Sequence, residues 1–423
     1  MGKLVSFAKA AKKKYGGVVG RADTTPTDDR RLPSGSIRLD YGLGGGYRVG
    51  WITSLYGEKS GGKTTTAIRA LTIAQNYCRN CLRPVSDVVA VPPSKDELKE
   101  DPEARWSAEG TCDCYATGLY RPEDPPKKDS KEKEKDYKER VAKWRAKLKK
   151  NSYEEFVCAW IDPEGTFAKD YATSIGLDNR RVMYVRPESA EEGIDIMHAL
   201  ICTVEVDMMA VDSIAQLVPL LELSASTEEW QQGLQARLVN KAVRKLVSGS
   251  SMVARNRRSI TQIWINQTRE KIGKLFGDPT VKPGGKGQEF AVCAEIKFGK
   301  NTIESVEEQY GGEKEKLIIP VKETFNFTVT KNKTQGTSTV TGFYSQSMRD
   351  SAAGPKGRIM EEDDVFKLTM HYLVEEQKGK GKYVLAGKEY PTQKAIMADL
   401  RDDKDLLAAT KKVLLEKMLG SQG

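Results

Sequence analysis

Residues 57–64 read Gly57, Glu58, Lys59, Ser60, Gly61, Gly62, Lys63, Thr64, with Thr65 following. Every fixed position of the G-x-x-x-x-G-K-[ST] pattern is filled. Such a loop lets backbone N–H groups wrap phosphates at a helix N-terminus, while Lys63 reaches the β- and γ-phosphates and the Thr64 hydroxyl binds Mg²⁺. Phosphoryl transfer also needs a carboxylate at the end of a second apolar strand, and Met208-Met209-Ala210-Val211-Asp212 supplies it. A third carboxylate, Glu164 in Trp160-Ile161-Asp162-Pro163-Glu164-Gly165, could polarise an attacking water, although a loop acid of no special role has the same appearance.

Seven cysteines divide unevenly: Cys158, Cys202 and Cys293 sit singly in apolar runs, whereas Cys78, Cys81, Cys112 and Cys114 cluster. With an odd total and no secretory signal, a disulfide framework is not expected. Four thiolates and no nearby histidine suit a closed structural Zn²⁺ site, with redox thiols or unliganded cysteines as the alternatives.

These candidates need elements to hold them. Ile52–Leu55 reads as the strand entering the glycine-rich loop and Thr65–Tyr77 as the helix leaving it. The apolar runs Phe156–Ile161, Val182–Val185, Met208–Val211 and Ser259–Ile265 look like buried parallel strands, which makes the class α/β. Residues 3–15 place Leu4, Phe7, Ala8 and Ala11 at helical spacing among lysines, as a short basic arm. Between 78 and 153 the composition turns charged and proline-rich, so this stretch is an insertion. Within it Tyr137, Val141, Trp144 and Leu148 form a narrow apolar stripe, on either a docked solvated helix or an arm for DNA or a partner.

The whole has 423 residues, 39% of them hydrophobic, and Lys+Arg 68 against Asp+Glu 59 gives a net charge of +9. That length suits more than one compact unit. No run approaches the roughly 18 consecutive apolar residues of a membrane span, so a soluble, cytoplasmic protein with no membrane partner is expected.

In order along the chain, the blocks PSGSIRLDYGLGGGYRVGWITSLYGEKSGGKTT, WIDPEG, AVDSIAQLVP, INQTREKIGKLFGDP, KPGGKGQEF, TKNK and GKYVLAGKEYPTQKAIMADL resemble the bacterial RecA recombinase family. They span nearly everything but the insertion. The resemblance implies a P-loop NTPase core of RecA type, with a mostly parallel central sheet over 36–345, interrupted by a Cys-rich insertion at 78–153. It adds an N-terminal oligomerisation arm over 1–35 and a small α+β C-terminal domain over 346–423. The implied activity is that of a DNA-dependent ATPase that forms filaments on single-stranded DNA, pairs it with homologous duplex DNA and exchanges strands, using ATP and Mg²⁺.

By the same resemblance, Glu164 activates the hydrolytic water, Gln267 senses the γ-phosphate and Tyr171 stacks on adenine. Lys331 and Lys333 match lysines contributed across the filament interface to the neighbouring subunit's ATP site. Residues 268–287 match the second DNA-binding loop, with Arg269, Lys271, Lys274, Lys282, Lys286 and Phe276 as the DNA-binding residues, and 220–232 match the first. Taken alone, the Gly- and Lys-rich second loop can track a phosphate backbone, or can be a surface loop without function. Glu289, before the interface aromatic Phe290, stands where the family usually has Lys, and Glu270 stands where an apolar residue is usual. The chain ends at Gly423 without the acidic tail of many relatives, so inhibition by such a tail is not expected. The insertion would suit a phage-encoded relative. The competing readings are a nucleotide-gated DNA scaffold without strand exchange and a hexameric helicase motor on a related fold.

Overall fold

The structure, a computed structural model, describes residues 29–79, 82, 89–91, 107–109, 135–140, 156–203, 206–224, 234–254, 260–270, 280–281, 287–309, 316–334, 339–351, 355–377 and 382–420. The expected basic arm at 3–15 lies outside these residues. So does most of the insertion, where a short ribbon pairs Val89–Val91 with Ser107–Glu109 and residues 135–140, including Tyr137, are helical.

Among the described residues a nine-stranded sheet organises the core. In chain order its strands are β1 (Ile52–Gly57), β2 (Cys158–Ile161), β3 (Val182–Val185), β4 (Met208–Val211), β5 (Thr261–Ile265), β6 (Ala294–Phe298), β7 (Thr302–Gln309), β8 (Lys316–Asn332) and β9 (Val340–Ser347). Across the sheet β6, β1, β5, β4, β2 and β3 run parallel in that order. Alternation decides which side chain faces which layer. Leu55, Trp160, Ile263 and Ile265 join α2 (Lys63–Ala74), while Ile52, Ile161, Met209 and Trp264 join α4 (Ala190–Thr203) and α5 (Leu234–Ala254) on the opposite face. Burial on both faces explains why these strands read as unbroken apolar runs.

The strands expected from sequence are present with slightly shorter starts, and α2 begins two residues before the expected Thr65 and stops three before Tyr77. Its end is fixed by Gln75, whose side-chain amide both donates to the Asp178 carbonyl (3.0 Å) and accepts from the Asp178 N–H (2.9 Å). Asp207 holds both ends of the insertion together. Its carboxylate accepts from the Arg79 guanidinium (3.0 Å) and from the Val157 N–H (2.9 Å).

The antiparallel extension was not anticipated. β8 pairs with β6 through Phe327–Asn332 and with β7 through Lys316–Thr324, while β9 covers Lys322–Val329 along its other edge. β9 runs to Ser347, so the boundary expected at 345/346 falls inside a strand. Beyond it, α7 (Glu362–Tyr372), α8 (Gln393–Asp402), α9 (Lys404–Gly420) and a small three-stranded sheet surround Leu385, Tyr390, Ile396 and Leu400. Ile37 of α1 (Ile37–Leu43) packs with Val365 and Leu414 of this unit, and Arg38 bridges to Asp364 at 2.9 Å.

Within α1, the buried Asp40 accepts the N–H of Ser34, which lies ahead of the helix, at 2.6 Å. Burial pushes its carboxyl up to about 6. A raised folded-state value means that the group favours folding below the ordinary carboxylate range and loses that contribution as pH rises through about 6. Asp40→Asn, which keeps the acceptor, is therefore expected to be more stable than the parent by roughly 3 kcal/mol at pH 8. The gap should shrink by pH 5; denaturant unfolding at both pH values checks the sign.

Candidate active site

The site is built at the carboxyl ends of the parallel strands, where open α/β sheets place ligands. Gly57 closes β1 at φ +133, and a Cβ there would lie 2.1 Å from the Phe298 carbonyl oxygen of β6. Gly62 has φ +93, and a Cβ there would lie 2.1 Å from the Phe325 ring of β8. Only glycine fits either place. Between them Glu58, Lys59 and Ser60 form the exposed crest. The α2 helix then starts at Lys63 with no side-chain cap, leaving its first N–H groups for an anion. Lys63 is buried and folds back to donate to the carbonyls of Gly57 (3.1 Å) and Glu58. Burial lowers its pKa against the opposing pull of Asp212, Glu164 and Glu58.

Thr64 Oγ1 donates to Asp212 Oδ2 at 2.7 Å. A hydroxyl and a carboxylate oxygen in contact make the hard-oxygen donor set that Mg²⁺ takes, so the residues fit that ion. Asp212 follows β4 directly, and its peptide bond to Ser213 is cis. Burial raises its carboxyl to about 6, with the Thr64 hydrogen bond opposing and the Glu164 and Asp162 charges adding.

Glu164 leaves the end of β2 on a loop shaped by Asp162, whose part only the fold reveals. Fully buried, Asp162 accepts the N–H groups of Gly165 (2.8 Å) and Phe167 (2.9 Å) and the Tyr184 hydroxyl (3.0 Å). The loop so formed presents Glu164 Oε1 to two donors, Ser213 Oγ and Gln267 Nε2, each at 3.0 Å. Gln267 follows β5. The neighbouring Asn266, buried, donates to Gln288 Oε1 (3.1 Å) in the short helix α6 (Gly287–Ala291). Ser213, Asn266 and Gln288 carried no sequence signal, because amides and hydroxyls are common and only their packing singles them out.

Tyr171, on α3 (Lys169–Ile175), shares a 2.7 Å hydrogen bond with Thr65 Oγ1 and lines a cleft with residues 60–65, Asn301, Glu323 and Phe325. The structure thus brings together the P-loop, Asp212, Glu164, Gln267 and Tyr171. It keeps Lys331 and Lys333 apart from them. Lys331 pairs with Glu295, which pairs with Ser54, so it lies level with Ser54 in β1, about 10 Å along the strands from Gly57. Its ammonium donates to the Glu289 carbonyl, and that of Lys333 donates to the Phe290 carbonyl at 2.6 Å. Phe290 is 77% exposed.

Arg269 opens a ribbon in which Arg269–Glu270 pairs with Thr280–Val281. Lys271, Lys274, Phe276, Lys282 and Lys286 lie outside the described residues. Leu220–Ser224 forms a short helix with Leu220, Leu221 and Leu223 exposed. In the cysteine cluster Cys78 is buried, and Cys81, Cys112 and Cys114 lie outside the described residues. Among the described residues no three or more His, Cys, Asp or Glu are grouped to hold a metal, so the zinc reading gains no support.

Removing the Asp162 charge tests the loop. Asp162→Asn turns one of two acceptors into a donor facing an N–H or O–H, and should cost about 1–3 kcal/mol in denaturant unfolding. An unchanged midpoint would show that the loop holds its shape without that carboxylate.

The family model described as RecA N-terminal domain matches residues 145–336, which begin near the end of the insertion and leave the P-loop outside the match. Protein RecA of Mesomycoplasma hyopneumoniae strain J is 27% identical over 321 residues, covering 74% of this chain and 71% of its own length. Protein RecA of Mycoplasma mycoides subsp. mycoides SC is 25% identical over 407 residues, 95% of this chain and 88% of its own length, a span that necessarily includes the P-loop. Protein RecA of Enterococcus faecium is 29% identical over 286 residues, 67% of this chain and 57% of its own length. With the motifs in order and the parallel core beneath them, this chain is similar to RecA proteins over most of its length, and its middle matches the RecA N-terminal domain.

Proposed function

We propose that the protein is a DNA-dependent ATPase that assembles on single-stranded DNA in its ATP state, pairs that strand with homologous duplex and exchanges strands. The observation that carries this reading is the hydrogen bond from Gln267 to Glu164. It ties the carboxylate positioned for hydrolysis to the root of the segment 268–287, so nucleotide state and DNA contact share one stretch of backbone.

The free N–H groups of α2 and the Lys63 ammonium hold the phosphates, and Thr64 and Asp212 would hold Mg²⁺, which would supply positive charge against the phosphates. Glu164 takes the proton of the attacking water, giving ADP and phosphate. Loss of the γ-phosphate changes what Gln267 can bond. Lys331 and Lys333, remote from their own P-loop and beside the exposed Phe290, are placed for a neighbouring subunit's site. Hydrolysis then depends on assembly, because cations supplied in trans reach the transition-state charge only when protomers are docked. In this reading 1–35 is the oligomerisation arm, 36–347 the ATPase core and the remainder a C-terminal domain.

Glu164→Gln should lower ATP turnover by about 10²-fold or more while ATP-dependent DNA binding persists. Turnover at the parent rate would remove Glu164 from catalysis. The function as a whole is tested with labelled single-stranded DNA and homologous duplex, with ATP, with a slowly hydrolysed analogue and without nucleotide. Exchange that requires both nucleotide and homology is expected. DNA-stimulated hydrolysis without exchange would instead leave a nucleotide-gated scaffold.

A further inference from the structure

The cleft beside the P-loop carries a carboxylate that the hydrolytic site does not use. Glu323 lies on β8 two residues before Phe325, so both side chains leave the same face of the strand, roughly 7 Å apart. Phe325 rests against Gly62 at the head of α2, which places Glu323 one step outward from where phosphates bind. The carboxylate is held on both oxygens. Asn301 Nδ2 donates to Oε1 at 2.5 Å and Gln346 Nε2 donates to Oε2 at 3.0 Å. Gln346 is itself buried and anchored by Arg69, whose guanidinium donates to Gln346 Oε1 at 2.7 Å.

A negative group beside an anion site is unfavourable unless the ligand brings donors to it. Each carboxylate oxygen has capacity for about two hydrogen bonds, so one acceptor position per oxygen remains after Asn301 and Gln346 are served. A vicinal diol offers two O–H donors at a spacing that suits two carboxylate oxygens, the pairing by which dinucleotide-binding sheets read a ribose. In a bound nucleotide the ribose follows the α-phosphate directly, whereas the edge of the base lies a full ring farther out. Phe325 and Tyr171 give the same cleft aromatic surfaces without a second carboxylate.

Resting on the nucleotide-site reading above, we propose that Glu323, preorganised by Asn301 and Gln346, is the residue that reads the 2′,3′-diol of the bound nucleoside triphosphate and selects ribonucleotides over deoxyribonucleotides. The same charge disfavours nucleotides phosphorylated on the ribose.

The test is titration of the full-length protein with the Mg²⁺ complexes of ATP, 2′-deoxy-ATP, 3′-deoxy-ATP and GTP, for the parent, Glu323→Ala and Glu323→Gln, each first checked for an unchanged melting temperature without nucleotide. The parent should bind ATP about tenfold more tightly than either deoxy analogue, the worth of one charge-assisted hydrogen bond. Glu323→Ala should level the three and leave the ATP to GTP ratio as it was, and Glu323→Gln should fall between. A parent that does not distinguish ATP from its deoxy analogues overturns the proposal. So does a preference that survives in both variants, an equal weakening toward every nucleotide, or a change confined to the ATP to GTP ratio, which would mean that Glu323 reads the base. If Glu323→Ala fails to fold, the Glu323→Gln ratio decides alone. A parent that binds none of the triphosphates overturns the nucleotide site at Lys63 and Thr64, a failure distinct from loss of discrimination.

Discussion

The close approach of the phosphate loop to two strands of its own sheet governs the arrangement of the site. Gly57 sits under the Phe298 carbonyl and Gly62 against the Phe325 ring, with no space for even a methyl group at either. The loop is thereby clamped at both ends by neighbours that belong to the packed core, and its free N–H groups acquire a fixed direction. Phe298 and Phe325 are almost fully buried, so the stiffness of the loop is borrowed from the interior. The antiparallel extension has a local function here: β8 supplies the wall that shapes the far side of the P-loop.

From that fixed point the remaining groups are placed by strand ends. Asp212 after β4, Glu164 after β2 and Gln267 after β5 all emerge at the same edge, and backbone turns bring them within hydrogen-bonding distance of one another or of Thr64. Rigid strands set position to within a bond length or so, and short loops set aim. Asp162 shows how the aim is held: three donors converge on one buried carboxylate, and the adjacent loop residue Glu164 is left facing Ser213 and Gln267.

The parts legible in the sequence were those with strong local signatures. Apolar runs gave five of the six parallel strands to within two residues, missing only β6 (Ala294–Phe298), and the Gly-Lys-Thr spacing located the P-loop, because few residue types can do what Gly62 and Lys63 do. The β7–β8–β9 extension was not read, because in Lys316–Asn332 the apolar Leu317 and Ile318 are exposed while burial falls on the alternate positions Phe325, Phe327 and Val329, a period-two signal diluted by the Lys, Glu and Thr around it. Amides such as Asn266, Gln288, Asn301 and Gln346 were equally silent. Their roles come from partners distant in sequence, as when Gln346 meets Arg69 across 277 positions. The expected grouping of Lys331 and Lys333 with catalysis came from resemblance alone, and within one chain they stand at the opposite end of the strands.

Asp207 has a further implication for how the chain could acquire an insertion at all. By gripping Arg79 on one side and Val157 on the other, it fixes the separation of the two points where the insertion leaves and rejoins the core. Once that separation is set, the entropy of closing the intervening loop grows only with the logarithm of its length, about 0.6 kcal/mol for each doubling. The site between α2 and β2 therefore behaves as a graft point. Segments of very different size and composition can be exchanged there at almost constant cost to the sheet core, which leaves the insertion free to diverge under selection of its own.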